Sequence, residues 1–402
     1  MKILMLTPYL PYPPSSGGQV RSYNLIKHLS NKHRITLFSL IKDDEEKKYV
    51  GQLEKFCQQV NVFKRPAHPW TLTNILKTGF GLYPFLVIRN FSKEEKETLK
   101  QELTKQKFDL IHAENFYVMP HLPKTDIPIL LTEQTILYRV YQHFVKNLPW
   151  YLFWLKPILM VDVLKLKYWE AFYWRKSDFL AAVSGEDVAH VRTLAPGKKV
   201  YIIPNGVDYS YFAEKKYQKD KQPTVLFGAA DFHWMQNKEG ALLLLKKVWP
   251  EIKKKVKNAR LWIVGKIAPE ALSSYLGKKD IIIQEIDDSR EAYQKAWILV
   301  APMRSGGGSR TKFFEAMASG LPIVTTPEGL EGIDAINGQE VAVEDDFGQL
   351  VGKAVTLLLN TRKAEQIGLR GKKLVKEKYD WSQSAEKLSN LYEEIGYGRK
   401  KG

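Results

Sequence analysis

Apolar positions along the chain fall into two rhythms. Short unbroken runs recur at 2–7 (KILMLT), 35–40, 60–63, 108–112 (FDLIH), 127–132 (IPILLT), 179–184 (FLAAVS) and 200–204 (VYIIP). Such runs predict parallel strands buried on both faces. Segments with apolar residues at helical spacing lie between them, at 19–29, 43–59, 92–105 and 185–192. Ser92, with Glu95 three residues on, is a capping-box start, and Ser184 is a second N-cap. The stretch 70–89 mixes aromatic and apolar residues with Gly79, Gly81 and Pro84 and takes no firm assignment. After a polar, lysine-rich stretch at 209–223 the pattern restarts. Strands are expected at 224–228, 260–264, 281–284, 298–301, 321–326 and 341–343, and helices at 239–255, 268–276, 289–296, 311–319, 346–359, 361–379 and 381–395. Strand alternating with helix reads as an α/β chain of doubly wound parallel sheets. The expected domains are 1–205 and 206–380, followed by a helical segment at 381–402 with the option of packing back on the first domain.

The stretch 301–333 (APMRSGGGSRTKFFEAMASGLPIVTTPEGLEGI) concentrates candidate chemistry. A strand ends in the glycine loop 305–309, which leads into a helix closed by Gly320. Free N–H groups at a helix N-terminus and the helix dipole together favour phosphate. Arg304, Arg310 and Lys312 add cations, and Glu315 lies one turn into the helix, where a carboxylate accepts hydrogen bonds from sugar hydroxyls. A glycine run after a strand also serves as a plain tight turn. Gly17-Gly18 precede the first helix without the dinucleotide G-x-G-x-x-G spacing, and suit either an anion site or a helix-entering turn. His112 and Glu114 sit at the C-terminal end of a core strand, the edge where open α/β sheets bind ligands. His112 reads more readily as a hydrogen-bonded core histidine, whereas a buried structural role is less natural for Glu114 at the loop.

Composition narrows the function classes. The 402 residues are 44% hydrophobic and 12% aromatic, with 61 Lys+Arg against 44 Asp+Glu, a net charge of +17. That balance favours anionic partners: nucleic acid, a membrane face or phosphorylated substrates. The basic helix around 246–260 has an apolar stripe and no accompanying nucleic-acid motif, so a solvated outer face accounts for it. The single cysteine, Cys57, excludes an internal disulfide and any cysteine-built metal site, and suggests a reducing compartment. Residues 1–6 are too short a run, broken at Pro8, for a secretory leader. No uncharged apolar run reaches the roughly 18 residues of a spanning helix, and a cytoplasmic location is expected. In 144–176 aromatics alternate with lysines around Pro149 and Pro157. This suits either a membrane-surface segment or a helix with aromatics in the core.

With these parts in order, the chain resembles a group 1 (family 4) glycosyltransferase of the GT-B fold. The resemblance rests on KILMLTPYLPYPPSSGGQVRSYNLIKHL, on AVSGEDVAHVRTLAPGKKVYIIPNGVDYSYF and on PMRSGGGSRTKFFEAMASGLPIVTTPEGLEGI, and it covers nearly the whole chain. It implies two Rossmann-like domains facing across a cleft, the acceptor on the first and the donor on the second. The implied reaction moves a sugar from a nucleotide-sugar donor to an acceptor hydroxyl with retention and without metal or resident cofactor. The implied catalytic residues are Glu114, His112, Arg310 and Lys312. The implied donor-binding residues are Gly17, Gly18, Lys238, Gly307, Gly308, Ser309, Arg310, Thr311 and Glu315. Arg310 and Lys312 would stabilise the leaving diphosphate, and Glu315 would hold the donor ribose. The chain departs from the family pattern twice. Gly307 stands where the family often has a first glutamate, and Glu114 stands where it often has a histidine. The implied partners are a nucleotide sugar, a saccharide or lipid-linked saccharide acceptor and an anionic membrane surface, with the enzyme peripheral at the inner face and no nucleic acid bound. The same fold also accommodates an epimerase or phosphorylase, and the departures allow an inactive nucleotide-binding subunit of a membrane polysaccharide-assembly complex.

Overall fold

The structure, a computed structural model, describes residues 1–66, 70–304 and 311–400. Among these, one compact unit comprises 1–204 together with the chain from Ser384 onward, and a second comprises 205–304 with 311–383.

The first unit is built on a seven-stranded parallel sheet of β1 (Lys2–Thr7), β2 (Arg34–Ile41), β3 (Gln59–Lys64), β4 (Leu110–Glu114), β5 (Ile129–Glu133), β6 (Phe179–Ala182) and β7 (Val200–Ile202). Their spatial order is β3-β2-β1-β4-β5-β6-β7. The order reverses between β1 and β4, so the chain leaves these two strands in opposite directions and opens a crevice beyond their carboxyl ends. Every residue of β4 is buried, including His112 and Glu114. The second unit repeats the plan with β8 (Thr224–Asp231), β9 (Arg260–Lys266), β10 (Ile281–Gln284), β11 (Ile298–Ala301), β12 (Ile323–Thr325) and β13 (Ala342–Val343). Here the order is β10-β9-β8-β11-β12-β13, reversing between β8 and β11. Each sheet carries its own apolar core. The α/β, doubly wound expectation therefore holds in both halves.

Several elements differ from expectation for local reasons. Residues 43–59 do not form one helix. A 3-10 turn, Asp44–Tyr49, leads into the short helix Val50–Leu53, where Leu53 is the one buried residue, too little apolar surface to hold a longer helix. The unassigned stretch 70–89 contains two helices, Leu72–Phe80 and Phe85–Arg89. The expected helix 239–255 begins earlier, as Met235–Leu243, then widens to a π turn at Leu244–Val248 before continuing as Trp249–Lys255. Pro250 has no N–H to bond back to the preceding turn, and the wider turn absorbs that loss. Gly17 and Gly18 are the first two residues of helix Gly17–Leu29, capped by Ser16, rather than a loop before it. The helix Thr311–Ala318 ends as expected. Gly320 has φ +77°, its N–H donates to Met317 O at 2.8 Å and Leu321 N–H to Ala316 O at 2.9 Å, a Schellman closure.

The last helix, Trp381–Lys400, lays Leu388, Leu391 and Tyr392 into the first unit. Its Ser389 hydroxyl meets His33 Nε2 at 2.8 Å, and Glu394 accepts from Tyr201 Oη at 2.8 Å.

The capping box at Ser92 forms by half. Ser92 Oγ accepts from Glu95 N–H at 3.4 Å, but the Ser92 N–H donates to His121 Nε2 at 2.9 Å instead of to Glu95. His121 Nδ1 in turn donates to Val118 O at 2.9 Å, which fixes the neutral tautomer. The Glu95 carboxyl is left 0% exposed with neither oxygen hydrogen-bonded, and burial pushes its pKa up to about 8. A carboxyl whose folded pKa exceeds its unfolded value, roughly 4.3, stabilises the fold fully below that value. It loses this contribution as pH rises through the folded pKa. Glu95→Gln is therefore expected to raise Tm by several degrees at pH above 8 and to leave it unchanged near pH 4. Equal shifts at both pH values in a thermal melt would contradict this assignment.

Candidate active site

In the second unit the candidate residues gather beyond the carboxyl ends of β8 and β11. Strand β8 shifts register between Phe227 and Ala230, a bulge that carries the strand on to Asp231. Asp231 O accepts from Asn237 Nδ2 at 2.8 Å, which orients the Asn237 amide. Asn237 Oδ1 then accepts from Lys312 Nζ at 2.9 Å. The ammonium also lies 4.7 Å from the centre of the Phe227 ring and 3.8 Å from Met303 Sδ. Lys312 is only 7% exposed, so its charge is held in place within the first turn of Thr311–Ala318. One turn further on, Glu315 accepts a hydrogen bond from Tyr293 Oη at 2.8 Å. Burial pushes the Glu315 carboxyl up to about 7, and the tyrosine hydroxyl partly offsets this. Tyr293 is itself buried, on helix Ser289–Lys295.

Arg304, counted with the cations of this loop, points elsewhere. It pairs with the Asp345 carboxylate, donates to Asp345 O at 2.7 Å and stacks on Phe347 at 4.6 Å. Lys238 is exposed, and its neighbour Asn237 is the residue that reaches Lys312. Gly307, Gly308, Ser309 and Arg310 lie outside the described residues. Thr311 opens the helix that bears Lys312.

In the first unit a polar network sits where β1, β4 and β5 end. Gln134 donates to Glu114 Oε2 and accepts from Tyr9 Oη, the latter at 2.8 Å. Arg21 Nε is 4.0 Å from Glu114 Oε2, and Arg21 Nη1 donates to Pro204 O at 3.1 Å. Burial pulls the Arg21 pKa down while Glu114 opposes it. His112 is engaged at both ring nitrogens, Nδ1 to Tyr392 Oη at 2.6 Å and Nε2 to Thr132 Oγ1 at 2.8 Å. Burial lowers its pKa to about 4, so the ring is neutral at physiological pH.

Glu114, expected to face a cleft, is thus fully buried, and His112 is the hydrogen-bonded core histidine that the sequence favoured. The pair survives on a core strand because both His112 nitrogens and Glu114 Oε2 find partners, in Tyr392 of the C-terminal helix, Thr132 of β5 and Gln134 just beyond it, while Glu114 Oε1 is left without a hydrogen bond. The outward members of the network are Tyr9 and Gln134, both half-buried. Their signal in the sequence is their place just after β1 and β5. Asn115, the next residue after Glu114, has φ +70°, held by its N–H to Thr132 O at 2.8 Å and its Oδ1 accepting from Gln134 N at 3.3 Å. Strained backbone of this kind costs roughly 1–3 kcal/mol and collects at functional edges.

Gly18 is required by this network. A Cβ there would lie 2.0 Å from Tyr9 Oη and 2.8 Å from Gln134 Oε1. Gly18→Ala should therefore cost about 1–3 kcal/mol through overpacking, read as a lower Tm. Adding Tyr9→Ala in the same chain should recover part of the loss. A neutral Gly18→Ala melt would refute the close approach.

Comparison with known proteins shows the family. Residues 15–211 match the profile of Glycosyltransferase Family 4, and residues 222–360 match that of Glycosyl transferases group 1. The chain belongs to the group 1, family 4 glycosyltransferases. The second match spans Asn237, Tyr293, Lys312 and Glu315; the first spans Gly18, Arg21, Glu114 and Gln134. An uncharacterized 44.6 kDa protein in the cps region of Klebsiella pneumoniae is 21% identical over 98% of this chain and 99% of its own. Sucrose-phosphate synthase from Thermosynechococcus elongatus superposes with a TM-score of 0.72 at 15% identity, covering 99% of this chain and 100% of that one. HepE of Anabaena in complex with UDP-glucose does so with a TM-score of 0.62 at 12% identity, covering 98% and 100%. The two solved structures share with this chain the GT-B fold of two Rossmann-like domains.

Proposed function

We propose that this glycosyltransferase transfers a sugar, with retention of anomeric configuration and without a metal, from a nucleotide-sugar donor to a hydroxyl of a saccharide or lipid-linked saccharide. The product would be a cell-surface polysaccharide or glycolipid, made at the inner membrane face. The observation that carries the reading is the pair Lys312 and Glu315, one helical turn apart, each oriented by a partner, Asn237 or Tyr293. In the reaction the bond from the anomeric carbon to the diphosphate oxygen breaks, and the acceptor oxygen bonds to that carbon and loses its proton. Charge develops on the departing diphosphate, and a fixed ammonium beside a helix N-terminus stabilises it without reorganising. In this reading Arg310 shares that task, and Glu315 accepts hydrogen bonds from the donor ribose. In this reading Glu114 positions Gln134, and through it Tyr9, while His112 ties β4 to Thr132 and Tyr392; neither touches substrate. The UDP-glucose complex of the Anabaena relative and the cps-region setting of the Klebsiella relative support this choice of donor class and product.

The test is turnover of a panel of nucleotide sugars with saccharide and lipid-linked acceptors, in EDTA, with the anomeric configuration of the product read by NMR. Transfer with retention is expected. No binding and no turnover of any donor would defeat the proposal. Product formed without acceptor would point to an epimerase or phosphorylase, and binding without turnover to an inactive subunit.

A further inference from the structure

The first unit carries an apolar surface that its own packing does not explain. Helix Leu72–Phe80 is amphipathic but inverted: Leu72, Ile75, Leu76 and Phe80 face outward, and Asn74 is the buried residue. The Phe80 side chain is 90% exposed. The 3-10 turn Trp150–Leu155 likewise exposes Trp150 (84%), Phe153 and Trp154. Helix Lys156–Lys176 buries Val163, Leu166 and Trp174 but turns Ile158, Val161, Leu164 and Tyr168 to the outside. An outward apolar stripe on successive helices is the reverse of what core packing selects, and an apolar surface this extensive marks an interaction site.

The segments form one built surface. Lys165 Nζ donates to Thr78 O at 2.6 Å and Gly81 O at 2.7 Å, closing the C-terminus of Leu72–Phe80 from the long helix. Trp169 Nε1 donates to Leu82 O at 3.0 Å, and the Tyr83 and Trp169 rings stack at 4.4 Å. The charge around this surface has one sign. Across 70–91 and 137–176 the only carboxylates are Asp162 and Glu170. Asp162 accepts from Phe85 N–H, and Glu170 from Leu137 and Tyr138 N–H. Exposed Lys77, Lys146, Lys167 and Lys176 are left to set the field.

We infer that this surface beds into an anionic lipid leaflet. Trp and Tyr suit the headgroup depth, the aliphatic and Phe side chains reach the acyl boundary, and the lysines meet anionic headgroups. Among the described residues no helix is long and apolar enough to cross a membrane, so the chain lies on the bilayer through this surface. The choice of membrane, the one holding the lipid-linked acceptor, rests on the transfer reading; the surface itself does not.

The full chain should co-sediment with vesicles of mixed phosphatidylglycerol and phosphatidylcholine, and far less with phosphatidylcholine alone. Phe80→Ser with Trp150→Ser should lower the vesicle partition at least about tenfold. Lys146→Gln with Lys167→Gln should lower it about tenfold on anionic vesicles only. Melting temperature and donor hydrolysis without vesicles should stay at wild-type values in both variants. Failure of the wild-type chain to sediment, or undiminished binding by Phe80→Ser with Trp150→Ser, overturns the inference. So does analytical ultracentrifugation showing that this variant converts a dimer to a monomer, since the surface would then cover a second copy. Vesicle binding without any donor turnover would sink the transfer reading alone.

Discussion

Removing the Lys312 charge is expected to lower kcat/KM at least about tenfold, with most of the loss in kcat, because charge on the diphosphate grows toward the transition state. The ammonium is held by Asn237 Oδ1 at 2.9 Å and lies over the Phe227 ring at 4.7 Å. It therefore does not need to be ordered at the moment of reaction. Lys312→Met is the informative variant, since it keeps an aliphatic side chain of similar length and removes the ammonium with its hydrogen bond to Asn237. Tm measured beside the kinetics separates lost catalysis from lost folding. Arg310→Ala should produce a loss of the same order. Unchanged turnover in both variants would remove the diphosphate role from this loop.

The second large effect is expected at Glu315 and has a pH signature. Its carboxyl titrates at about 7 because of burial, with the Tyr293 hydroxyl lowering it somewhat. In the proposed reading the ribose hydroxyls would donate to the carboxylate, so the ionised form would be the one that binds donor. The donor KM should therefore rise as pH falls through about 7 and level off in the alkaline range. Glu315→Gln should raise KM about tenfold at pH 8, as loss of a charged hydrogen-bond acceptor does, and should abolish the pH dependence. Tyr293→Phe removes the hydroxyl that favours ionisation, so it should move the midpoint upward. A donor KM independent of pH from 6 to 8 in the wild-type chain would refute the assignment.

Much of this molecule was legible without coordinates because parallel sheets announce themselves. A strand buried on both faces must be apolar at nearly every position, as KILMLT and RLWIV are. The glycine stop at Gly320 was likewise visible, since the left-handed turn it makes disfavours any side chain. Lys312 and Glu315 could be placed on one helix by spacing alone. Their partners Asn237 and Tyr293 could not, because they arrive from other crossovers of the second sheet, 75 and 22 residues away in sequence.

Periodicity also shows that a helix is two-sided but not which side is turned to solvent. Leu72–Phe80 has a strong apolar stripe, and the ordinary inference from it points inward, whereas Lys165 and Trp169 anchor the helix with that stripe outward. The same limit applied to Glu114. Its position at a strand's carboxyl end suggested exposure, yet it is buried beside the core histidine His112, which Tyr392 reaches from 280 residues along the chain. The sequence by itself determined most of the elements, the two parallel sheets and the family, because these follow from local pattern and short spacing. The tertiary structure decided the orientation of each polar side chain and the outward face of each helix, because both depend on which distant segments come to cover them.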